Sequence, residues 1–377
     1  MKRCKKGIWD NSIPGINFNE NDVSNYATIQ ENLMRDFPKG ESGEAQWEKI
    51  VSKIKSKNGR YDCLIGVSGG TDSSYLLHLA KKYNLNPLAV NLDNGWSSNI
   101  AVENIKRVTS QLNIDLETYV IDYEEIKDIL RSYLRAGLPW IDNPTDQAIH
   151  SVLYKTARRE KIKYILMGTD FRSEGKQPTE WTYSDSKQLK HIHNKFGEKP
   201  RKTFPLVSFP KYMYYGYLKN IKVIQPFNYI EYNKQEAQDM LIQLYNWEYY
   251  GEHHHENLFT KWVISYWMYE KFKIDKRIIT YSAQVLSGKI SRDRAIAIIS
   301  KKPYNEETIE SETEFVLKKL SISKDEFNDI WKSDNKSFLD YPSYYSFIKK
   351  AKRILLPIIK YALPTKPKIF YEMEVRK

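Results

Sequence analysis

Residues 61–79 read YDCLIGVSGGTDSSYLLHL and decide the fold of this chain. The first part, Asp62 to Val67, is a short apolar run rich in β-forming residues, which predicts a buried strand. Ser74 to Ala80 then has the apolar spacing of a helix. Because a glycine-containing turn joins the two without a gap, the stretch predicts a strand, a tight turn and a helix in direct succession.

The turn has the chemistry of an anion-binding loop. Its two glycines allow positive φ angles and a close approach of the backbone to phosphate oxygens. The helix start directs backbone N–H groups at the same place, and Asp72 can hold a Mg²⁺ ion that bridges phosphate oxygens. One continuous run is therefore predicted to grip the phosphates: Ser68, Gly69, Gly70, Thr71, Asp72 and Ser73.

This run matches S-G-G-x-D-S and resembles the signature of the PP-loop ATP pyrophosphatases, which cleave ATP between its α and β phosphates. It is not a Walker A loop, because the Gly-Lys-Ser/Thr ending is missing. The structural alternative is an ordinary strand–turn–helix with small turn residues. A motif counts only in its predicted context, and a hydrophobic strand precedes this one directly. ATP and Mg²⁺ are the expected cofactors.

From residue 61 to about residue 230, apolar runs alternate with helical patterns. Such alternation predicts an α/β fold with a doubly wound, parallel five-stranded sheet. The predicted strands are Asp62–Val67, Pro87–Leu92, Glu117–Ile121, Lys163–Gly168 and Lys222–Pro226.

The chain is expected to have three parts. Residues 1–55 form an N-terminal segment with a helix over Gln46–Lys55, residues 56–231 the ATP-binding domain, and residues 232–377 an α-helical C-terminal unit. The polar and aromatic stretch 176–217 is too long for a simple connection, so it predicts an insertion that covers the substrate.

Ligands in such sheets bind at the carboxyl ends of the strands. Asp93 follows the second strand and is placed to meet the nucleoside, although a tight Asn-Gly turn accounts equally well for the two residues after it. Gly168 and Thr169 end the fourth strand and are further candidates for the nucleotide site. Glu174 follows them closely.

Two other side chains are candidates for chemistry. Asp146 lies near a predicted helix start, where the alternative is that Thr145 is the N-cap and Asp146 stabilises the first turn. His254 is the middle one of three adjacent histidines. Adjacent residues do not share a helix face, so these histidines do not form a helical metal site. Binding of an anionic sugar, or proton transfer, fits them better.

Composition sets the wider limits. The net charge of +12, from 59 Lys and Arg against 47 Asp and Glu, is compatible with a polyanion such as tRNA but is spread along the chain. No apolar run approaches a membrane span, and the basic start lacks the apolar region of a secretory signal. With Cys4 and Cys63 as its two cysteines, the chain is expected to be cytoplasmic, with no membrane partner.

Beyond the loop, several stretches resemble the N-acetyl sugar amidotransferases of surface-polysaccharide and flagellar-glycan biosynthesis, of the WbpG and PseA type. They are residues 91–105, 137–178, 251–277 and 286–296. The family usually carries two C-x-x-C pairs near its N-terminus, but here Met1, Ser24 and Ala27 stand where three of those cysteines would be. One thiol does not supply the four ligands of a structural zinc site, so zinc is doubtful as a cofactor.

The resemblance implies that ATP adenylates the N-acetyl carbonyl oxygen of an acetamido sugar, and that ammonia then displaces AMP to leave an acetamidino group. Such sugars belong to lipopolysaccharide O-antigen or to flagellin glycans such as pseudaminic acid. Asp72, Asp146, Glu174 and His254 are then the candidate catalytic residues, while Asp93, Gly168 and Thr169 frame the nucleoside. The family obtains ammonia from separate proteins that resemble the glutaminase and cyclase subunits of imidazole glycerol phosphate synthase, and a nucleic-acid partner is not expected.

Two alternatives stay open. A PP-loop tRNA-modifying enzyme, of the thiolase or lysidine synthase type, would use the basic charge. A thiolase also needs a reactive cysteine or an iron–sulfur cluster. The second alternative is a non-catalytic relic that binds ATP, although a relic has no reason to keep Asp72.

Overall fold

A computed structural model describes residues 2–56, 59–251 and 256–351. Within these ranges, five strands form one sheet with the order β3-β2-β1-β4-β5, and every pairing is parallel. The strands are β1 (Cys63–Val67), β2 (Pro87–Asp93), β3 (Leu116–Val120), β4 (Tyr164–Leu166) and β5 (Lys222–Ile224). The predicted doubly wound α/β fold is therefore confirmed, and β1 lies at the centre of the sheet.

The α-helices in the described ranges connect and cover these strands. In chain order they are α1 (Asn25–Asp36), α2 (Glu41–Lys55), α3 (Thr71–Lys82), α4 (Asn99–Gln111), α5 (Tyr123–Arg135), α6 (Asn143–Arg159), α7 (Phe171–Glu174), α8 (Thr179–Thr182), α9 (Ser186–Phe196), α10 (Phe209–Met213), α11 (Lys234–Tyr245), α12 (Leu258–Trp262), α13 (Arg277–Leu286), α14 (Arg292–Ile299), α15 (Ile309–Leu320) and α16 (Lys324–Lys332). Two π-helices, Tyr214–Leu218 and Val263–Lys271, and two 3₁₀ turns, Pro226–Asn228 and Phe338–Asp340, complete the described elements. No helix in the described ranges has both the length and the apolar character needed to cross a bilayer.

Side chains of β1 alternate between two apolar layers, as the pleat of a strand requires. Cys63, Ile65 and Val67 pack with α2, α3, α4 and α11 on one face. Leu64 packs with α6 on the other face. Because both faces are covered, the strand reads as a continuous apolar run rather than as an alternating one.

A third apolar cluster joins distant parts of the chain. It holds Trp9 from the N-terminal segment, Trp96 and Ile129 from the sheet region, and Trp262 and Leu317 from the C-terminal helices. Polar contacts follow the same path, since the Ile8 N–H donates to the Ser282 hydroxyl over 3.0 Å. The predicted boundaries at residues 55 and 231 stay predictions, and this cluster crosses both of them.

The structure adds local detail and corrects one alternative. Helix α1 is not among the predicted elements; Ser24 begins it as an N-cap whose hydroxyl accepts from the Ala27 N–H. The stretch 176–217 contains α8, α9 and α10, and its role as an insertion that covers the substrate stays a prediction. Thr145 is not the N-cap of the helix that follows it, because Asp142 holds the N-cap position of α6.

Candidate active site

The glycine turn between β1 and α3 has the conformation that its sequence predicts. Gly69 has φ +80°, and a Cβ there would lie 2.1 Å from the carbonyl oxygen of Ala101 in α4. Gly70 is extended and forms the N-cap of α3, which begins at Thr71. Only glycine fits at position 69, because an L-residue would meet both the left-handed conformation and a neighbouring backbone.

Long hydrogen bonds occupy the donors of this loop. The Ser68 N–H donates to the Ser73 hydroxyl over 3.2 Å, and the Gly70 N–H donates to the Ser68 hydroxyl over 3.3 Å. Both are longer than the usual 2.9–3.0 Å of an N–H···O bond, roughly the mode in proteins. The loop can therefore exchange weak internal partners for the oxygens of an anion at the start of α3.

A second segment covers the loop from the C-terminal side. The Tyr250 hydroxyl accepts the Thr71 N–H over 3.3 Å. The carboxyl carbon of Glu256 lies 3.5 Å from the point that a Cβ on Gly70 would occupy. Burial, and after it the charge of Asp72, raises the pKa of Glu256. The predicted His254 falls between Tyr250 and Glu256 in sequence and lies outside the described residues.

Asp72 lies in the first turn of α3 and has a fixed orientation. Tyr232 donates its hydroxyl to Asp72 Oδ1, and its ring stacks on Phe227 with centroids 4.1 Å apart. Gly168, after β4, lies directly against this residue: a Cβ there would be 2.9 Å from the backbone carbonyl of Asp72. A carboxylate beside donors that are predicted to bind phosphate suits Mg²⁺, so Asp72 would hold that ion and neutralise phosphate charge when nucleotide binds.

The predicted nucleoside residues lie at the ends of two strands on either side of β1. Asp93 ends β2, and its Oδ1 accepts the Gly95 N–H over 2.8 Å. Gly95 has φ +78°, so the alternative interpretation as a tight turn describes this backbone well. Thr169 follows β4 and accepts a hydrogen bond from Gln225 over 2.6 Å. Neither contact tests a role in nucleotide binding, which stays a prediction.

Asp146 and Glu174, predicted from separate parts of the chain, both interact electrostatically with Lys276, which the sequence analysis does not identify. Burial lowers the pKa of the Lys276 ammonium group. The negative charges of Asp146, Glu174 and Asp142, in decreasing order, raise it. Its Nζ lies 4.2 Å from the centre of the Trp140 ring, and Trp140 donates its indole N–H to Asp146 Oδ2 over 2.7 Å. We call Asp142, Asp146, Glu174 and Lys276 the acidic cluster.

Asp142 is the most unusual member of the acidic cluster. Its side chain is 2% exposed, and burial, with a further contribution from Asp146, raises its pKa to about 7. The Thr260 hydroxyl donates to Oδ2 over 2.5 Å. Although Asp142 holds the N-cap position of α6, it makes no capping hydrogen bond. The signal that could have found it is an aspartate two residues before a proline at a helix start.

A short polar network links the acidic cluster to the cover of the phosphate loop. Asn94, directly after β2, donates to the Thr145 hydroxyl over 3.1 Å and accepts from the Asn257 side chain over 3.4 Å. The neighbouring Glu256 carbonyl accepts the Ser98 N–H over 2.9 Å. Both groups therefore lie at the carboxyl edge of the sheet, where α/β proteins bind their ligands.

Within the described residues, the positions that correspond to the family's two C-x-x-C pairs are buried and closely packed. Cys4 and Ser24 are both buried, and the Ser24 N–H donates to Cys4 Sγ over 3.3 Å. Ala27, at the third predicted cysteine position, lies buried one helical turn further on. Over residues 2–56, 59–251 and 256–351, no group of three or more His, Cys, Asp or Glu side chains is arranged to hold a metal ion.

A parallel sheet whose central strand leads through S-G-G-x-D-S into a helix defines the class: this is an α/β protein whose first loop resembles that of the PP-loop ATP pyrophosphatases. The comparison with protein families is more particular. Residues 256–354 match the family model described as "LPS biosynthesis protein WbpG-like, C-terminal domain". The C-terminal region is thus WbpG-like, as the resemblance in the sequence implied, and it contributes Thr260 and Lys276 to the candidate site.

A curated relative matches part of this chain. The uncharacterized protein MJ1599 of Methanocaldococcus jannaschii is 32% identical over 135 residues, which is 35% of this chain and 46% of that protein. The chain therefore matches about half the length of that curated relative.

Solved structures give weaker likenesses. NH3-dependent NAD synthetase from Campylobacter jejuni is 19% identical over 40% of this chain and 58% of its own, with a TM-score of 0.27. NMN synthetase from Francisella tularensis is 17% identical over 62% and 96%, with a TM-score of 0.29. The U34-tRNA thiolase NcsA from Methanococcus maripaludis is 13% identical over 79% and 89%, with a TM-score of 0.31.

Proposed function

We propose that this protein is an ATP-dependent amidotransferase that converts the N-acetyl group of a bacterial acetamido sugar into an acetamidino group. One observation carries the proposal: the region that matches the WbpG-like domain contacts the carboxyl edge of a PP-loop sheet, with Thr260 donating to Asp142. The loop predicted to bind nucleotide and the proposed acid–base groups would therefore share one edge. The product would serve lipopolysaccharide O-antigen or flagellin glycan synthesis, including pseudaminic acid derivatives.

The reaction solves a specific chemical problem. An amide oxygen is a poor leaving group, so the amide oxygen first attacks the α-phosphorus of ATP, and pyrophosphate leaves. Ammonia then forms a C–N bond to the imidate carbon, and the C–O bond breaks with its electron pair going to AMP. The amide oxygen thus leaves in AMP, and the sugar keeps an amidine.

Residues of the loop would stabilise the transition state of the first step, the adenylation of the amide oxygen. The N–H groups of Gly70 and Thr71, with the Ser68 and Ser73 hydroxyls, would stabilise charge on the departing pyrophosphate. Mg²⁺ on Asp72 supplies electrostatic neutralisation when it is bound. Before nucleotide enters, the Tyr250 hydroxyl has to leave the Thr71 N–H that it now accepts. Asp93, Gly168 and Thr169 would frame the nucleoside, and the second step would belong to the acidic cluster.

Ammonia would come from separate proteins, a glutaminase and a cyclase-like partner, bound transiently in the cytoplasm. The tRNA thiolase alternative needs a reactive thiol, whereas Cys4 and Cys63 are both buried and burial raises the pKa of Cys63. A gel-shift titration with bulk tRNA over a salt series tests the lysidine synthase alternative.

The direct test is incubation with ATP, Mg²⁺ and ammonium chloride together with N-acetylglucosamine, UDP-N-acetylglucosamine or N-acetylneuraminic acid. We expect sugar-dependent release of AMP and pyrophosphate, and a mass change that corresponds to replacement of oxygen by NH. Formation of ADP, or AMP release that no acetamido sugar stimulates, would contradict the proposal.

A further inference from the structure

The side chain of Asp142 has one oxygen that the described fold does not use. Oδ2 accepts the Thr260 hydroxyl over 2.5 Å. Oδ1 is buried and meets no hydrogen-bond partner among the described residues. A buried carboxylate oxygen without a partner costs free energy. A ligand with N–H donors would satisfy this oxygen and remove that cost.

Helix capping does not explain this residue. The N-cap position would ordinarily direct an aspartate side chain to the first free N–H groups of its helix. Asp142 makes no such bond, whereas Asp122, the N-cap of α5, accepts the N–H groups of Glu124 and Glu125 over 2.9 and 3.1 Å. The two aspartates occupy equivalent helix positions, and only one of them caps.

The charges around Asp142 suit a small cation. From its own helix, Asp146 adds negative charge; from the segment before α13, Lys276 adds positive charge, and Glu174 acts on Lys276 from the end of α7. The Thr260 hydroxyl faces it from α12 and the Thr145 hydroxyl from α6. Three carboxylates against one lysine leave the acidic cluster net negative when all are ionised.

We propose that Asp142 Oδ1 receives the ammonium ion of the second step and accepts one of its protons. The inference rests on the proposed function and names the residue that prepares its nucleophile. Ammonium has no lone pair, so it cannot attack the imidate carbon. Transfer of one proton to Asp142 gives ammonia and a neutral carboxyl group. After ammonia has displaced AMP, Asp142 returns its proton to solvent.

The acid strength of Asp142 suits this task. Its pKa is raised to about 7 by burial, with Asp146 adding to the rise and Thr145, Thr260 and Lys276 opposing it. A base whose pKa lies near the working pH is both available and able to hold a proton. An exposed aspartate would be too weak a base.

The test separates the two half-reactions with the variant Asp142→Asn and the acetamido sugar that stimulates the wild-type enzyme. Exchange of labelled pyrophosphate into ATP, measured with sugar and without ammonium, reports adenylation alone. We expect the variant to keep this exchange within about threefold, which also shows that it is folded. Amidine formation from ammonium chloride at pH 7 should fall by roughly 10²- to 10⁴-fold, the usual contribution of a general base.

Two conditions should restore the activity of Asp142→Asn if Asp142 is the base that deprotonates ammonium. Raising the pH supplies free ammonia, so the deficit of Asp142→Asn should shrink steadily with pH. Hydroxylamine is largely unprotonated at neutral pH, so the variant should use it at close to the wild-type rate. A second variant, Thr260→Val, removes a hydroxyl that lowers the pKa of Asp142, and its pH profile should move upward. Asp122→Asn is the matched control and should change none of these rates.

The outcomes are distinct. If the variant loses pyrophosphate exchange as completely as amidine formation, Asp142 acts before ammonia and the inference is wrong. An unchanged rate with ammonium, or a deficit that neither pH nor hydroxylamine relieves, overturns it as well. Absence of sugar-dependent exchange in the wild-type enzyme would instead count against the proposed function itself.

Discussion

Replacing Gly69 by alanine is the sharpest test of the phosphate loop. The left-handed backbone at φ +80° costs an L-residue roughly 1–2 kcal/mol. The new methyl group would also lie 2.1 Å from the carbonyl oxygen of Ala101 and 2.7 Å from its carbonyl carbon. Because both atoms belong to the backbone of α4, no side chain can move aside, and such overpacking costs about 1–3 kcal/mol. The two effects together predict a loss of roughly 2–5 kcal/mol in the free energy of unfolding.

Thermal unfolding with and without ATP and Mg²⁺ measures this effect. An unfolding entropy of about 2.1 cal/mol/K per residue over 377 residues converts the loss into a melting temperature lower by roughly 3–6 °C. The upward shift that ATP is expected to produce in the wild-type protein should disappear. Gly216→Ala is the matched control, because no atom lies within 4 Å of its added Cβ and its φ is not positive. That variant should change stability by less than about 1 kcal/mol. A Gly69→Ala protein that melts and binds ATP as the wild type does would refute the loop geometry.

The remaining predictions concern neighbouring groups. Asp72→Ala should abolish Mg²⁺-dependent AMP formation, and full activity in that variant would overturn the assignment of the metal ligand. Gly168→Ala should weaken ATP binding more than it lowers the melting temperature, because its methyl group would press on the Asp72 backbone at 2.9 Å; calorimetric titration gives the first quantity and scanning calorimetry the second. Tyr250→Phe removes the hydroxyl that accepts the Thr71 N–H, so ATP should bind up to about fivefold more tightly, as expected for one exchanged hydrogen bond worth roughly 1 kcal/mol. The folded-state pKa of Asp142 is raised from 3.8 to about 7, so the free energy of unfolding falls as pH rises through this window. The slope is about 1.4 kcal/mol for each pH unit between the two pKa values. Asp142→Asn should flatten it, and denaturant titrations at pH 5 and pH 8 measure the difference.

The sequence predicts those elements whose residues are contiguous in the chain. Strand β2 begins at Pro87 as predicted and ends one residue later than expected, at Asp93. The phosphate loop was also accessible, because a buried strand, a glycine turn and a helix start are contiguous in the chain. The sequence does not predict helix α1, because its buried residues, Tyr26, Ala27 and the polar Gln30, do not form a clear apolar stripe.

The acidic cluster could not be predicted as a unit, because its members come from distant parts of the chain. Lys276 stands among several lysines, and nothing in its neighbours distinguishes it. Asp142 has a ready local explanation as an N-cap, and only the absent capping bond removes that explanation. The close approach of Gly168 to the Asp72 backbone could not be predicted either, because it joins two segments that are distant in sequence; the predicted role of Gly168 at the nucleoside stays a prediction.

The contact between Ile8 and Ser282 has a consequence for how the protein is made. The ribosome releases the first residues long before the helices that receive them, so the N-terminal segment must wait for most of translation. Thr260 and Lys276 also emerge late, after the whole sheet. A chain that terminates before residue 260 would carry the glycine loop without Thr260 and Lys276, and under the proposed function we expect it to be inert instead of consuming ATP.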